Sequence, residues 1–359
     1  MKSRTSPFTA AGLLFAVLAI VAPAAWSQTF TTIDPPGSQG TSPVSINPAG
    51  QIVGNYFDAN FVTHGFVRAT DGTITSFDAP GAGMATYPVA ITPQGSIVGW
   101  YLDANFGSHI FLRAKDGTFT TPEIPSPGAS YFGGVVANSA GSIAAEFFDS
   151  NGNPTVFLRS PSSKSTLFQF PPEFLTFFFI PNIVAMTPDG TILGSYFDSS
   201  GGVHGFLRTI DGKYTTFDVP NAALSFFEGT SPSSINDSGI VTGFYFDTTH
   251  NSDLRVFVRA PNGTFSVFGT PQLGAFGSAA AINSPGAVAG NVQNFVCNPN
   301  SCTNTITSFL RSASGAVSSV NDPQAAQGTT QVIGINPAGA IIGMYLDENT
   351  AQHGFLRKP

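Results

Sequence analysis

The chain has 359 residues, a net charge of −7 and only 10% charged residues against 42% hydrophobic ones. Soluble domains carry roughly 25% charged residues, so Ser, Thr, Asn, Gln and Gly must coat this surface. The acidic balance excludes nucleic acid, whose phosphates need a basic face, and electrostatic docking on anionic lipid.

Residues 1–27 read as a secretory signal peptide. Lys2 and Arg4 make a positive start, Ala10 to Ala22 an apolar stretch, and Ala25-Trp26-Ser27 a small-residue cleavage site. The apolar stretch falls short of the roughly 20 residues of a membrane span. Cleavage removes two positive charges and leaves residues 28–359 as one exported domain, extracellular or periplasmic. No integral membrane segment is expected after cleavage.

The domain repeats one unit seven times. Its first marker is the glycine of an Asn-Pro-x-Gly-type turn: Gly50, Gly95, Gly141, Gly190, Gly239, Gly286 and Gly339, spaced 45 to 53 residues apart. In unit one, Val44-Ser45-Ile46 is a short first strand, and the Asn47-Pro48-Ala49-Gly50 turn leads to a second strand, Ile52 to Asp58. His64 to Arg68 forms a third strand. A tight Asp71-Gly72 turn leads to the fourth, Thr73 to Asp78, and Pro80-Gly81 breaks the chain. The third strand carries the second marker, Phe-Leu/Val-Arg: Phe66 and Arg68, Phe111 and Arg113, Phe157 and Arg159, Phe206 and Arg208, Phe257 and Arg259, Phe309 and Arg311, Phe355 and Arg357. The Phe rings supply apolar area between stacked sheets, and the Arg residues are expected to pair with Asp58-type or Asp78-type carboxylates or to cap blade edges. Glycines such as Gly54 and Gly99 mark close backbone approach in the second strand, with Ala145 the exception.

The last unit stops after its third strand, while Thr29 to Asp34 matches a fourth strand. The expected fold is therefore all-β: a seven-bladed β-propeller of four-stranded antiparallel blades, its ring closed by the N-terminal strand. An open solenoid is the rival, in which this match of the two ends would be coincidence.

Ile-Asn-Pro-x-Gly, Ile-Val-Gly-x-Tyr-x-Asp, His-Gly-Phe-Leu-Arg and Asp-Gly-Thr together resemble the bacterial extracellular HAF repeats over nearly all of residues 29–359. That family is named for His-Ala-Phe, where this chain has His64-Gly65-Phe66, His204-Gly205-Phe206 and His353-Gly354-Phe355. The resemblance implies an exported repeat protein of unassigned function and carries over no catalytic residue.

Cys297 and Cys302 are the two cysteines, and outside the cytoplasm so close a pair reads as a local disulfide. Asp58/His64, Asp103/His109, Asp198/His204 and Asp347/His353 recur six residues apart, with Thr155, Arg255 and Thr307 replacing His in units three, five and six. They read as loop pins, because pairs on separate blades cannot converge as metal or acid–base groups.

The loops joining second to third strands and those joining one unit to the next share a face, where sequence varies most. Tyr87, Tyr131, Phe132, Phe174, Phe177, Phe178, Phe226 and Phe227 fall there, suited to stacking on sugar rings or docking an apolar partner. Filling gaps between blades is the competing role for these rings. The functional expectation is a secreted, non-enzymatic binding propeller whose partner is a polysaccharide or an envelope or extracellular protein, with no cofactor and no metal. The alternatives are a polysaccharide lyase or hydrolase working at the axial mouth, with Glu146, Glu173 and Glu228 as its candidate acids, and a purely structural surface component.

Overall fold

The structure is a computed structural model and describes residues 28–124, 130–176, 179–250, 253–268, 276–298 and 301–359. The signal peptide expected at residues 1–27 lies outside them. Among the described residues there is no α-helix, only single 3-10 turns at Pro172–Phe174 and Thr248–His250. Among the described residues no helix is long and apolar enough to cross a membrane.

Each of the first six repeats folds as a four-stranded antiparallel ladder. In unit one the strands are Gly40–Ile46, Ile52–Phe57, Thr63–Arg68 and Ile74–Phe77. Units three to six are separate four-stranded sheets. Units one, two and seven share one sheet only through the single parallel contacts Gly40–Gln352 and Thr63–Ala85. Unit seven has three strands of its own, and the N-terminal strand Thr29–Ile33 pairs antiparallel with its outer strand Gln352–Lys358.

The first strand begins earlier than its small-residue core suggests, at Gly40, because pairing continues past a one-residue bulge between Pro43 and Ser45. Glycine is required opposite that bulge. A Cβ at Gly54 would lie 2.3 Å from the Ser42 carbonyl oxygen and 2.7 Å from the Phe66 ring. Unit three, with Ala145 there, is also the unit whose first strand bulges over three residues, between Tyr131 and Val135.

Apolar clusters form between successive units. Ala144 and Val156 pack with Ile183 and Phe206, Leu193 with Val241 and Phe257, and Ala289 with Ile341 and Phe355. The series includes the last unit against the first: Ile33, Ile342 and Leu356 pack on Ile52, Tyr56 and Phe66. All seven motif Phe residues are at most 3% exposed, each contributing about 2–3 kcal/mol of burial.

The motif Arg residues correct one expectation. The guanidinium groups of four of the seven lie over aromatic rings and not against Asp58-type or Asp78-type carboxylates, while Arg159 bonds Ser163 and Arg357 bonds Gln28. Arg208 sits 3.7 Å from the Phe168 ring of unit three, and Arg113, Arg259 and Arg311 stand 4.8–4.9 Å from Phe77, Phe217 and Phe268 of the preceding units. Arg68, Arg208, Arg259 and Arg311 also donate to the carbonyl of the next residue, at the start of the hairpin turn. Arg208, Arg259 and Arg311 do both, capping the blade edge and clasping the neighbouring unit through cation–π contact.

At the inner turns one asparagine does two jobs. Asn47 Oδ1 accepts the Gln51 N–H of its own turn, while its Nδ2 donates to the Thr92 carbonyl of unit two. Asn138, Asn236 and Asn283 repeat this, donating to Thr187, Asn283 and Asn336. Asn336 donates to the carbonyl of Asn47, 289 residues away. Thr92 and Thr187 cap only their own turns, because a hydroxyl lacks the second arm. These turns surround a small cavity of about 200 Å³ lined from six units, including Asn47, Thr92, Asn138, Asn236, Asn283 and Pro337.

Candidate functional site

The end opposite the asparagine turns carries exposed aromatic rings. Phe226 and Phe227, in the loop between units four and five, are 62% and 54% exposed. Their rings meet edge to face at 4.5 Å, and both contact Phe179, which stacks on Phe197 at 4.4 Å. The Phe227 N–H donates to the Gly201 carbonyl, fixing this loop to the loop between second and third strands of unit four. Four rings from two loops and the end of the strand Ile192–Phe197 thus form one patch.

Sequence reading missed two further rings at this end. Phe61 and Phe106 are 82% and 69% exposed, at the tips of Asp58-Ala59-Asn60-Phe61 and Asp103-Ala104-Asn105-Phe106. Both have left-handed backbones, with φ of 61° and 64°. The equivalent positions in units three and four are Gly152 and Gly201, with φ of 79° and 84°. A bulky residue there costs about 1–2 kcal/mol that glycine avoids. Phe227 shares the conformation at φ 64°. The available signal was the repeated Asp-Ala-Asn-Phe in place of Asp-Ser-Asn-Gly.

The other rings picked from sequence fare differently. Phe174 is not on the surface: it is 3% exposed, stacks on Tyr196 at 3.9 Å and meets Tyr214 edge-on at 5.4 Å. The short turn Pro172–Phe174 tips it inward to fill the seam between units three and four, leaving no face for a ligand. Tyr87 is half-buried and stacked on its cross-strand partner Trp100 at 4.3 Å. Phe177 and Phe178, and the side chains of Tyr131 and Phe132, lie outside the described residues. The backbone places Cys297 opposite Cys302 in a hairpin, and their side chains also lie outside.

The histidines form clamps. His64 Nδ1 bonds Asp78 at 2.9 Å while its Nε2 stands 3.7 Å from Asp58, and its ring lies beside Tyr56. His204 bridges Asp218 (2.9 Å) and Asp198 (3.3 Å), and His353 bridges Asp34 (2.7 Å) and Asp347 (3.6 Å). In these three the stronger partner is the fourth-strand Asp, which spacing along the chain did not single out, whereas His109 bonds Asp103, six residues before it, at 2.9 Å. Unit five substitutes Arg255 on Asp247 at 3.2 Å. The bond to Asp218 raises His204 against its burial, and against burial the bond to Asp34 raises His353. Asp198 falls to about 2 although burial opposes it, because Ser200, Gly202 and His204 donate to it. The loop residues Asp58, Asp103, Asp198 and Asp347 also accept backbone N–H groups of their own turns, as Asp58 does from Asn60 and Val62. Apart from Asp218 Oδ1, which is buried without a donor, these groups are engaged within the clamp, which suits pinning the rim loops.

The three candidate acids do not come together. Glu173 is exposed, and Glu228 accepts from Ser225 within its own loop. Glu146 is 1% exposed between units three and four, accepting the Ile183 N–H at 2.6 Å and the Gly134 N–H at 3.0 Å. Burial pushes its carboxyl up to about 7 against those two bonds. Both oxygens are engaged by backbone, so it serves the seam.

No family model matches the chain, and no curated protein matches it by sequence. Solved structures do resemble it. Virginiamycin B lyase from Staphylococcus aureus aligns at 15% identity over 92% of this chain and 99% of its own, with a TM-score of 0.57. The β-propeller domain of the trilobed protease from Pyrococcus furiosus aligns at 12% identity over 88% and 95%, with a TM-score of 0.58. The acylaminoacyl peptidase of Pyrococcus horikoshii aligns at 12% identity over 90% of this chain and 52% of its own, with a TM-score of 0.60. Identities this low speak for the fold alone: the chain is an all-β protein of four-stranded blades with the β-propeller architecture of these structures.

Proposed function

We propose that the chain is an exported, non-enzymatic binding propeller of seven blades, its ring closed by the N-terminal strand, that takes a polysaccharide on its aromatic rim. Three contacts support closure: the pairing of Thr29–Ile33 with Gln352–Lys358, the Asn336–Asn47 bond, and the apolar cluster between units seven and one. Export rests on the leader-like residues 1–27 and the uncharged polar coat. The likeness to HAF repeats and a Cys297–Cys302 disulfide belong to the same reading.

The observation that carries binding is the strained exposure of Phe61, Phe106 and Phe227. Hydrophobic rings held in solvent on left-handed backbone oppose both solvation and stability, and such strain concentrates where a protein meets a ligand. A nearly uncharged surface and flat ring faces suit sugar rings, whose C–H faces stack on aromatics while their hydroxyls meet neutral polar groups. The same rings could dock an apolar segment of an envelope protein. An enzyme would need acids converging on the axis, and Glu146, Glu173 and Glu228 do not supply them.

The test is a polysaccharide array probed with purified protein and with Phe61→Ala, Phe106→Ala and Phe226→Ala/Phe227→Ala variants. A specific glycan is expected, with affinity falling roughly 2- to 10-fold per stacking ring removed. A folded wild-type protein that binds none of the glycans, or variants that bind as well as wild type, would sink the proposal.

A further inference from the structure

Unit six departs from the repeat in a concerted way. Where unit one places Tyr56, His64 and Asp78, unit six has Val292, Thr307 and Asn321. The stacked Tyr–His pair and its carboxylate are thus replaced together by smaller, uncharged side chains. Their volume is not refilled. Val292, Thr307 and Asn321 line a cleft of about 650 Å³ between the outer strands of unit six and the segment leading into unit seven.

One residue on the wall of this cleft is out of character. Asp322 occupies the position held elsewhere by Pro35, Ala79, Ile124, Phe170 and Val219. It is 4% exposed. Its Oδ1 accepts the Gln324 N–H at 2.9 Å, whereas Oδ2 is shielded from solvent and has no hydrogen-bond partner. Burial raises its pKa, opposed by the Gln324 N–H and by His353. That histidine is already held by Asp34 and Asp347 of its own clamp. No Lys, Arg or His lines the cleft, whose polar wall includes Thr305, Thr307, Ser318 and Gln327 and whose apolar wall includes Phe309 and Ala325. A buried carboxylate oxygen without a donor is costly and uncommon in a folded protein.

We propose that this cleft is a second binding site, independent of the aromatic rim, for a small organic ammonium ion whose charged head pairs with Asp322 and whose apolar body lies against Val292, Phe309 and Ala325. Charge selects the class. An anion is repelled, a neutral polyol leaves the carboxylate uncompensated, and a divalent cation finds a single carboxylate. Among the described residues no group of three metal-ligating side chains exists. A monovalent ammonium in the cleft balances the charge of that one carboxylate.

The test is titration of the purified protein with n-butylammonium, n-butanol and glucose, read by calorimetry and ligand-observed NMR. Saturable binding of n-butylammonium is expected, and little of the two neutral probes. Asp322→Asn should weaken it about tenfold or more while remaining folded, since the change removes an unpaired buried charge. A Val292→Tyr/Thr307→His variant, which rebuilds the pair seen in unit one, should abolish binding by filling the cleft. Absence of saturable ammonium binding overturns the proposal. So does equal binding of n-butanol, or wild-type affinity in either folded variant.

Discussion

The two ends of the repeat units solve opposite problems. At the asparagine-turn end the turns interlock through paired amides: Asn336 is 3% exposed and satisfies its own turn and the first unit at once. At the other end the chain holds Phe61, 82% exposed, on left-handed backbone where a sister unit uses glycine. Near the axis the turns crowd together, and a buried amide must be paired. The rim loops diverge into solvent, so local strain there leaves the strands beneath undisturbed. The first end holds the units together, and the second is free to carry function.

The largest effect should come from breaking the inner end. Asn336→Ala leaves the Ala340 N–H without its acceptor and the Asn47 carbonyl with only the Gly50 N–H, and is expected to cost about 1–3 kcal/mol. Urea unfolding would measure it, and a loss below about 1 kcal/mol would mean the turns do not couple the units. Asn336→Thr should cost less, because Thr92 and Thr187 still cap their own turns in sister units.

A mid-strand seam sharpens the contrast. The raised carboxyl of Glu146, at about 7, keeps its proton in the folded state over a range where the unfolded chain has lost it. Its contribution to stability is therefore greatest below about pH 4.5 and declines as pH rises to 7, by roughly 3 kcal/mol in all. Glu146→Gln should remove that slope. Subtracting the two stability–pH curves between pH 4 and 8 tests this, and a flat difference would refute a proton held at Glu146.

The smallest effect lies at the rim, and its sign is opposite. Phe61→Gly and Phe106→Gly relieve left-handed strain and should each stabilise by about 1 kcal/mol while weakening ligand binding. Thermal melts check the first part. If both substitutions destabilise, the rings serve the fold and the contrast between the two ends fails.

Much of the architecture was legible because it recurs. Seven Phe-x-Arg strands, glycines opposite the bulges and Asp-Gly turns each reflect a backbone or packing demand met within about fifty residues. What escaped reading was relational. The asparagine turns were visible as turns, but Nδ2 reaches a carbonyl in another unit, 45 residues away for Asn47 and 289 for Asn336. Asp58 stood out as a partner for His64 by proximity along the chain, yet Asp78 across the ladder binds it more closely. Phe174 and Phe226 look alike in sequence, and only the fold puts one in a seam and the other in solvent.

By itself the sequence determined the unit, its strand and turn chemistry and the match between the chain's two ends, because local periodicity and glycine geometry are written residue by residue. The tertiary structure decided which arginines meet rings, which aromatics face water, and that losing Tyr, His and Asp together in unit six opens a cleft beside an unpaired carboxylate. Those outcomes depend on what the neighbouring unit places opposite each side chain, and contacts across a seam leave no periodic trace along the chain.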